Sequence, residues 1–317
     1  MRRATRVAAF VLAAVLAIAL AALASAWAPD RPVSALQARW APPPSAFVDV
    51  KGLAVHVRDV GPRDDPLPIV LLHGTSASLH TWEGWAASLA RDRRVISMDL
   101  PGFGLTGPNT TGDYRMAAYV RFVLDTLDVL NVRRFIVAGN SLGGNVAWET
   151  ALAAPERVAR LILVDAGGYP PTSTSVPLGF RLARTPVLNR MVSRLLPRRM
   201  IEASLRNVYG DPSRVTPELV DRYEELTLRA GNRRAVVQRF EQSDFGAGAA
   251  RIASLKLPTL ILWGGRDRLI PPEHGQRFAR DIAGSTLVVF DTLGHVPQEE
   301  DPARTVAPVR RFVGLPG

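Results

Sequence analysis

From Phe47 onward the hydrophobic residues fall into two alternating patterns. Short runs of consecutive or every-second apolar residues read as strands, and segments with apolar residues three and four apart read as helices. Strands are predicted over Phe47–Val50, Leu53–Val60, Pro68–Leu72, Arg94–Leu100, Arg134–Ala138 and Arg160–Val164. The helices between them are predicted over Leu79–Arg91, Tyr114–Leu130 and Leu142–Ala154. The run Ile69-Val70-Leu71-Leu72 has no polar member, as expected of a strand buried on both faces of a parallel sheet. After Gly167 the alternation stops. Up to about Arg251 the pattern is helical, with one well-marked helix that starts at Thr216-Pro217 and ends near Arg229, before Gly231. Strands resume at Thr259–Trp263 and Thr286–Phe290, with helices over Pro272–Ile282 and Pro302–Phe312. The division predicted is an α/β core over 46–167 and 252–317, interrupted by a helical cap over 168–251.

The first residues follow another pattern. Arg2, Arg3 and Arg6 precede an uncharged run from Val7 to Ala28, near the ~20 residues that span a bilayer. Ala24-Ser25-Ala26 also has the form of a secretory cleavage site. Residues 1–28 are therefore read as a signal peptide or a membrane anchor. In either case the remainder lies outside the cytoplasm, at the periplasmic face in a bacterium, because the arginines stay inside. Residues 29–45, with prolines at 29, 32, 42, 43 and 44, read as an extended linker.

Composition narrows the chemistry. There are no cysteines, which excludes thiolate nucleophiles, disulfides and Cys-ligated metals. The net charge is +10, carried almost wholly by arginine, with Lys51 and Lys256 the two lysines. The arginines are scattered, and no basic run carries interleaved aromatics of the kind that stack on bases, so a nucleic-acid partner is not expected. In Pro177–Met200, Arg181, Arg184, Arg190, Arg194, Arg198 and Arg199 are mixed with Leu, Val and Met. That stretch reads as an ordinary cap with solvated arginines or, alternatively, as a face that lies on an anionic membrane. No cluster with metal-ligand spacing and no phosphate-cradling loop is evident, so no cofactor is expected.

Gly139-Asn140-Ser141-Leu142-Gly143 stands where an apolar strand meets a helix. A serine on such a turn is lifted clear of the sheet, at a helix N-terminus that favours developing negative charge. The flanking glycines let strand and helix pass closely. Ser141 is thus the candidate nucleophile. It needs a base, and five histidines are available. His295 follows the last strand in Leu293-Gly294-His295-Val296, over the carboxyl edge of the sheet where ligands bind in open α/β folds. His56, His73, His80 and His274 read as structural. Asp267, after Gly264-Gly265-Arg266, is the candidate orienting acid. Asp165, at the end of the strand after the nucleophile helix, is the second choice, and Asp99 reads as a turn residue. The oxyanion donors expected are the N–H groups of Leu142 and Thr75.

These segments resemble the α/β-hydrolase superfamily. The residues that carry the likeness are His73-Gly74-Thr75, Asp99-Leu100-Pro101-Gly102-Phe103-Gly104, Gly139-Asn140-Ser141-Leu142-Gly143-Gly144, Gly264-Gly265-Arg266-Asp267 and Gly294-His295-Val296-Pro297-Gln298-Glu299-Glu300. They come in the family order Ser, Asp, His. The resemblance implies a mostly parallel eight-stranded sheet, with a cap inserted after the sixth strand. Dehalogenases and epoxide hydrolases of this superfamily carry Asp at the nucleophile position, where this chain has Ser141. The Gly139-Asn140-Ser141 version is similar to that of the meta-cleavage-product hydrolases, which break C–C bonds. Those usually carry Trp after the histidine, where this chain has Val296. The expectation is a serine hydrolase of small-molecule carboxylic esters, esterase- or monoacylglycerol-lipase-like, with C–C hydrolysis as the alternative.

Overall fold

The computed structural model describes residues 2–185 and 194–316. The apolar runs assemble into one eight-stranded sheet of order β1-β2-β4-β3-β5-β6-β7-β8. The strands are β1 (Ser45–Val50), β2 (Leu53–Val60), β3 (Ile69–Leu72), β4 (Val95–Met98), β5 (Phe135–Asn140), β6 (Val158–Val164), β7 (Thr259–Gly264) and β8 (Thr286–Phe290). β2 is antiparallel to β1 and to β4, and the other pairings are parallel. The fold is that of an α/β hydrolase, as the sequence implied.

Successive residues of a strand face opposite sides of the sheet, and each side has its own apolar layer. Val70, Leu72, Ile96 and Met98 join Trp148, Trp263 and Phe278 on one side. Ile69, Leu71, Val95 and Ile136 join Trp82, Trp85, Val306 and Val309 on the other. This double burial is why the central strands contain no polar alternation.

Register positions the chemistry. Leu72 pairs with Gly139, Asn140 with Val164, and Val164 with Leu262. The carboxyl ends of β3, β5, β6 and β7 therefore lie at one rim, and the residues that follow them leave the sheet side by side.

Several helices differ from the sequence expectation. The segment expected over Leu79–Arg91 is a 3-10 turn at Leu79–Trp82 followed by a helix at Glu83–Leu89. The linker expected to be extended at 29–45 contains a helix at Val33–Trp40. Its prolines bracket the helix, with Pro32 before the first turn and Pro42 after the last, where they are tolerated. Leu36 is buried against Leu105 and Leu226. Trp40 Nε1 donates to Glu225 at 2.6 Å, and the Trp40 carbonyl accepts from His80 Nε2 at 2.8 Å.

Between β6 and β7 lie helices at Leu178–Arg184, Arg198–Val208, Pro217–Thr227 and Asn232–Glu241. The Thr216 hydroxyl accepts from Leu219 N–H at 3.2 Å and caps the third of these. Arg198 is ion-paired with Asp221 and Glu224, so it is committed within the cap. Arg190, one of the arginines singled out in the sequence, lies outside the described residues.

Residues Arg2–Ala26 form a helix that leaves Phe10, Leu12 and Ile18 exposed. Among the described residues no helix is long and apolar enough to cross a membrane. The end of this helix is joined to the cap. Leu196 N–H donates to the Ala26 carbonyl at 2.9 Å, and Ala28 N–H donates to the Arg194 carbonyl at 3.2 Å.

Candidate active site

β5 ends at Asn140, and the next helix begins at Leu142. Ser141 between them has φ 54° and ψ −114°, in the positive-φ region that side chains other than Gly seldom adopt. The turn is held by Ser141 N–H donating to Val164 O, and by Gly167 N–H donating to Ser141 O. Its glycines are required by packing. A Cβ on Gly143 would lie 2.1 Å from the Leu72 carbonyl oxygen, and one on Gly139 would lie 2.1 Å from the Gly143 oxygen. Helix and strands thus pass at backbone contact, which pushes the serine hydroxyl up into the cleft.

That cleft, a cavity of about 220 Å³, lies between the sheet rim and the cap. Ser141, His295, Leu142, Thr75 and Gly74 all line it. His295 is buried, and its Nδ1 lies 2.6 Å from Asp267 Oδ2. The other oxygen of Asp267 accepts from Leu269 N–H and Ile270 N–H at 2.8 and 3.0 Å. The carboxylate therefore has one fixed orientation. Among the described residues Nε2 of His295 has no hydrogen-bond partner. The structure thus brings Ser141, His295 and Asp267 to one rim and pairs two of them. No hydrogen bond joins the Ser141 hydroxyl to the His295 imidazole.

Thr75 N–H and Leu142 N–H face no backbone or side-chain acceptor among the described hydrogen bonds. The loop that carries Thr75 is set by His73. Its Nδ1 donates to Gly74 O at 2.7 Å, and its Nε2 accepts from Leu100 N–H at 2.9 Å. Acceptance at Nε2 requires the neutral ring, and burial also lowers the His73 pKa. The remaining histidines are similarly committed. His56 binds Asp99 and Ser45, His80 binds Ser78 and the Trp40 carbonyl, and His274 binds Thr172. Burial pushes His80 down to about 4, against smaller opposing pulls from nearby acids. Asp99 is a turn residue, as expected. Its two oxygens collect Leu79 N–H, Leu105 N–H and His56 Nδ1, each at 2.7 Å.

Three site features escaped the sequence reading. Asn140 Nδ2 donates to Val164 O and to His295 O at 3.1 and 2.9 Å, which ties the histidine loop to the serine turn. Glu300 accepts from Gly294 N–H at 2.8 Å and from cap residues Gly210 and Asp211 at 3.0 and 2.8 Å. Both residues lie inside motifs quoted above, but nothing in a single sequence shows that they bridge loops. The third feature is the place of Asp165. It was weighed as a rival to Asp267, yet Asp165, Asp267 and His295 have ligand atoms within 4.8 Å of one another. Asp165 has φ 43°, accepts from Gly264 N–H at 2.9 Å, and shares a side-chain hydrogen bond with Asp267. Such a trio could in principle accept a cation. The short Asp267–His295 bond and the full burial of Asp165 fit a proton network instead.

Burial, with the Asp267 charge second, raises the Asp165 pKa well above the usual carboxylate range. The folded state then holds this proton more tightly than the unfolded chain does. The contribution of Asp165 to stability is largest at low pH and falls as pH rises above its ordinary value of 3.8. Asp165→Asn keeps one acceptor for Gly264 N–H and one donor for Asp267. It is expected to fold and to lose less stability than wild type between pH 5 and 8, read by thermal unfolding across that range. An unchanged pH dependence would show that Asp165 is ionised in the native protein.

The comparisons with known proteins agree with this architecture. The family model described as alpha/beta hydrolase fold matches residues 68–302. An uncharacterised protein of Mycobacterium tuberculosis is 33% identical over 289 residues, covering 86% of this chain and 82% of that protein. A 2-hydroxy-6-oxononadienedioate/2-hydroxy-6-oxononatrienedioate hydrolase of Pseudomonas sp. is 30% identical, covering 81% of this chain and 92% of that enzyme. The crystal structure of a membrane phospholipase A, described as a bacterial virulence factor, superposes with a TM-score of 0.74 at 26% identity, covering 99% of this chain and 98% of that one. The chain belongs to the α/β-hydrolase family and is a hydrolase.

Proposed function

We propose that the protein is a serine hydrolase of carboxylic esters that works through an acyl-enzyme. In this reading the Ser141 hydroxyl attacks the acyl carbon as His295 Nε2 takes its proton. Asp267 holds Nδ1–H and stabilises the imidazolium that forms. The tetrahedral oxyanion is met by the N–H groups of Leu142 and Thr75, each donor contributing roughly 3 kcal/mol to the barrier reduction. His295 returns the proton to the leaving alcohol. Water, deprotonated by the same imidazole, then releases the acid and restores Ser141.

One observation favours esters over the alternative. The likeness to the membrane phospholipase A covers 99% of this chain, so it takes in the N-terminal helix and the segment after it. The C–C hydrolase relative covers 81%. An apolar wall made by Phe180, Met200, Ile201, Leu205 and Val236 extends from Ser141 under the cap, in keeping with an acyl chain. In the same reading the protein works outside the cytoplasm beside a membrane, because Arg2, Arg3 and Arg6 precede the apolar run of the N-terminal helix. C–C hydrolysis of a vinylogous diketone is the second reading, favoured by the Pseudomonas relative.

A panel of p-nitrophenyl acyl esters and phospholipids, run beside a vinylogous 1,5-diketone at equal enzyme concentration, tests the choice. The expected result is higher kcat/KM on esters, with Ser141→Ala as the blank. Faster turnover of the diketone would overturn the ester reading.

A further inference from the structure

At the cap end of the cleft two guanidinium groups meet without a carboxylate. Arg239, on the helix Asn232–Glu241, is 7% exposed and lines the cleft. Its guanidinium carbon lies 5.3 and 5.8 Å from the ring centres of Phe240 and Phe245. Arg184, at the end of the helix Leu178–Arg184, also lines the cleft, 4.8 and 4.5 Å from the same rings. Among the described ion pairs and hydrogen bonds, no acid opposes either charge. Burial works against the charge of Arg184, and burial together with Arg184 works against that of Arg239. The undescribed residues 186–193, PVLNRMVS, contain no Asp or Glu that could complete a pair.

Two other arginines of the cap, the buried Arg233 and the half-buried Arg222, are treated differently. Arg222 is paired with Glu299, and Arg233 with Asp30. Ring faces attract cations, but the buried Arg239, with the exposed Arg184 on the same two rings, still lacks the counter-charge that normally accompanies burial. Guanidinium also presents a planar donor fork suited to carboxylate and phosphate oxygens.

We infer that Arg239 and Arg184 form an anion subsite, which takes a carboxylate or phosphate of an amphiphilic substrate whose ester lies at Ser141. This inference rests on the reading that the cleft above Ser141 is the substrate cleft. It makes the preferred substrates anionic amphiphiles rather than neutral esters.

Binding to the Ser141→Ala protein tests it without turnover. Dodecyl phosphate, dodecanoate and dodecanol are titrated calorimetrically, below their aggregation limits, into that protein and into its R239Q and R184Q derivatives. At least one anion is expected to bind about tenfold or more tightly than dodecanol. That preference is expected to fall about tenfold in R239Q and by a smaller factor in R184Q. A preference for dodecyl phosphate alone identifies a phosphate-bearing substrate, and one for dodecanoate alone a carboxylate-bearing substrate. Equal binding of all three ligands, or an anion preference intact in both arginine variants, would overturn the subsite. R184Q alters a more exposed side chain, so it keeps the test decisive if R239Q does not fold. Because no step requires catalysis, failure here is distinct from failure of the ester reading, which shows as esters left intact by the unsubstituted protein.

Discussion

Ser141→Ala is expected to lower kcat on any ester the protein cleaves by roughly 10⁴- to 10⁶-fold, with KM and the unfolding transition little changed. The size follows from the division of labour at the rim. Without the hydroxyl, His295 has no proton to accept from a nucleophile, and the remaining acceleration comes from oxyanion donors and binding alone. The fold tolerates the change because Ser141 holds its turn through main-chain bonds to Val164 and Gly167. Its side chain caps nothing in the helix it precedes. Ester hydrolysis and covalent labelling by a fluorophosphonate probe measure the effect. Residual turnover within about tenfold of wild type would remove Ser141 from the chemistry.

Asp267→Asn is the second large effect, with an expected loss of about 10⁴-fold in kcat. Its cause is orientation. In the carboxylate, Oδ1 already accepts from two N–H groups, of Leu269 and Ile270. An asparagine must keep its oxygen there, so its NH₂ group faces His295 Nδ1. That nitrogen must then accept, the ring proton moves to Nε2, and the imidazole cannot take the proton of serine. Asp165 gives the prediction a second readout. Removing the Asp267 charge takes away one of the causes that keep Asp165 protonated. The residual activity of Asp267→Asn is therefore expected to rise with pH as Asp165 ionises beside the histidine. The Asp165→Asn/Asp267→Asn double variant is expected to lose that rise. A flat profile for the single variant would show that Asp165 cannot substitute. A loss of only a few-fold would show that His295 is oriented by other contacts.

Much of the scaffold was legible because the parallel strands are buried on both faces, and an apolar run such as Ile69–Leu72 has little else it can be. The serine turn was legible because its glycines are demanded by atoms as close as the Leu72 carbonyl, so the geometry leaves its mark on residue type. The carboxylates were harder. Asp165 and Asp267 are far apart in sequence and were weighed as rivals. β6 and β7 are neighbours in the sheet, with Val164 opposite Leu262, so the residues that leave their ends meet in one buried group. Pairing register decides that, and a lone sequence does not print it. The helix at Val33–Trp40 was missed because proline density was read as extension. Its prolines mark helix ends instead, and the apolar anchor is the single residue Leu36. In the sequence Arg184 belongs to the arginine-rich stretch Pro177–Met200, and Arg239 stands apart with nothing to link the two. Only the fold puts them on the same two phenyl rings.

The junction at Ala26 bears on how the protein should be produced. Shortened versions that begin after Ala26 lose the acceptor for the amide of Leu196, a residue that itself borders the cleft. They also lose the antiparallel contact between Trp27 and Leu195 if trimmed past residue 27. Kinetic constants from such truncations describe an enzyme whose roof has been unfastened on one side, and they are comparable only with one another until a preparation that keeps residues 1–26 has been assayed beside them.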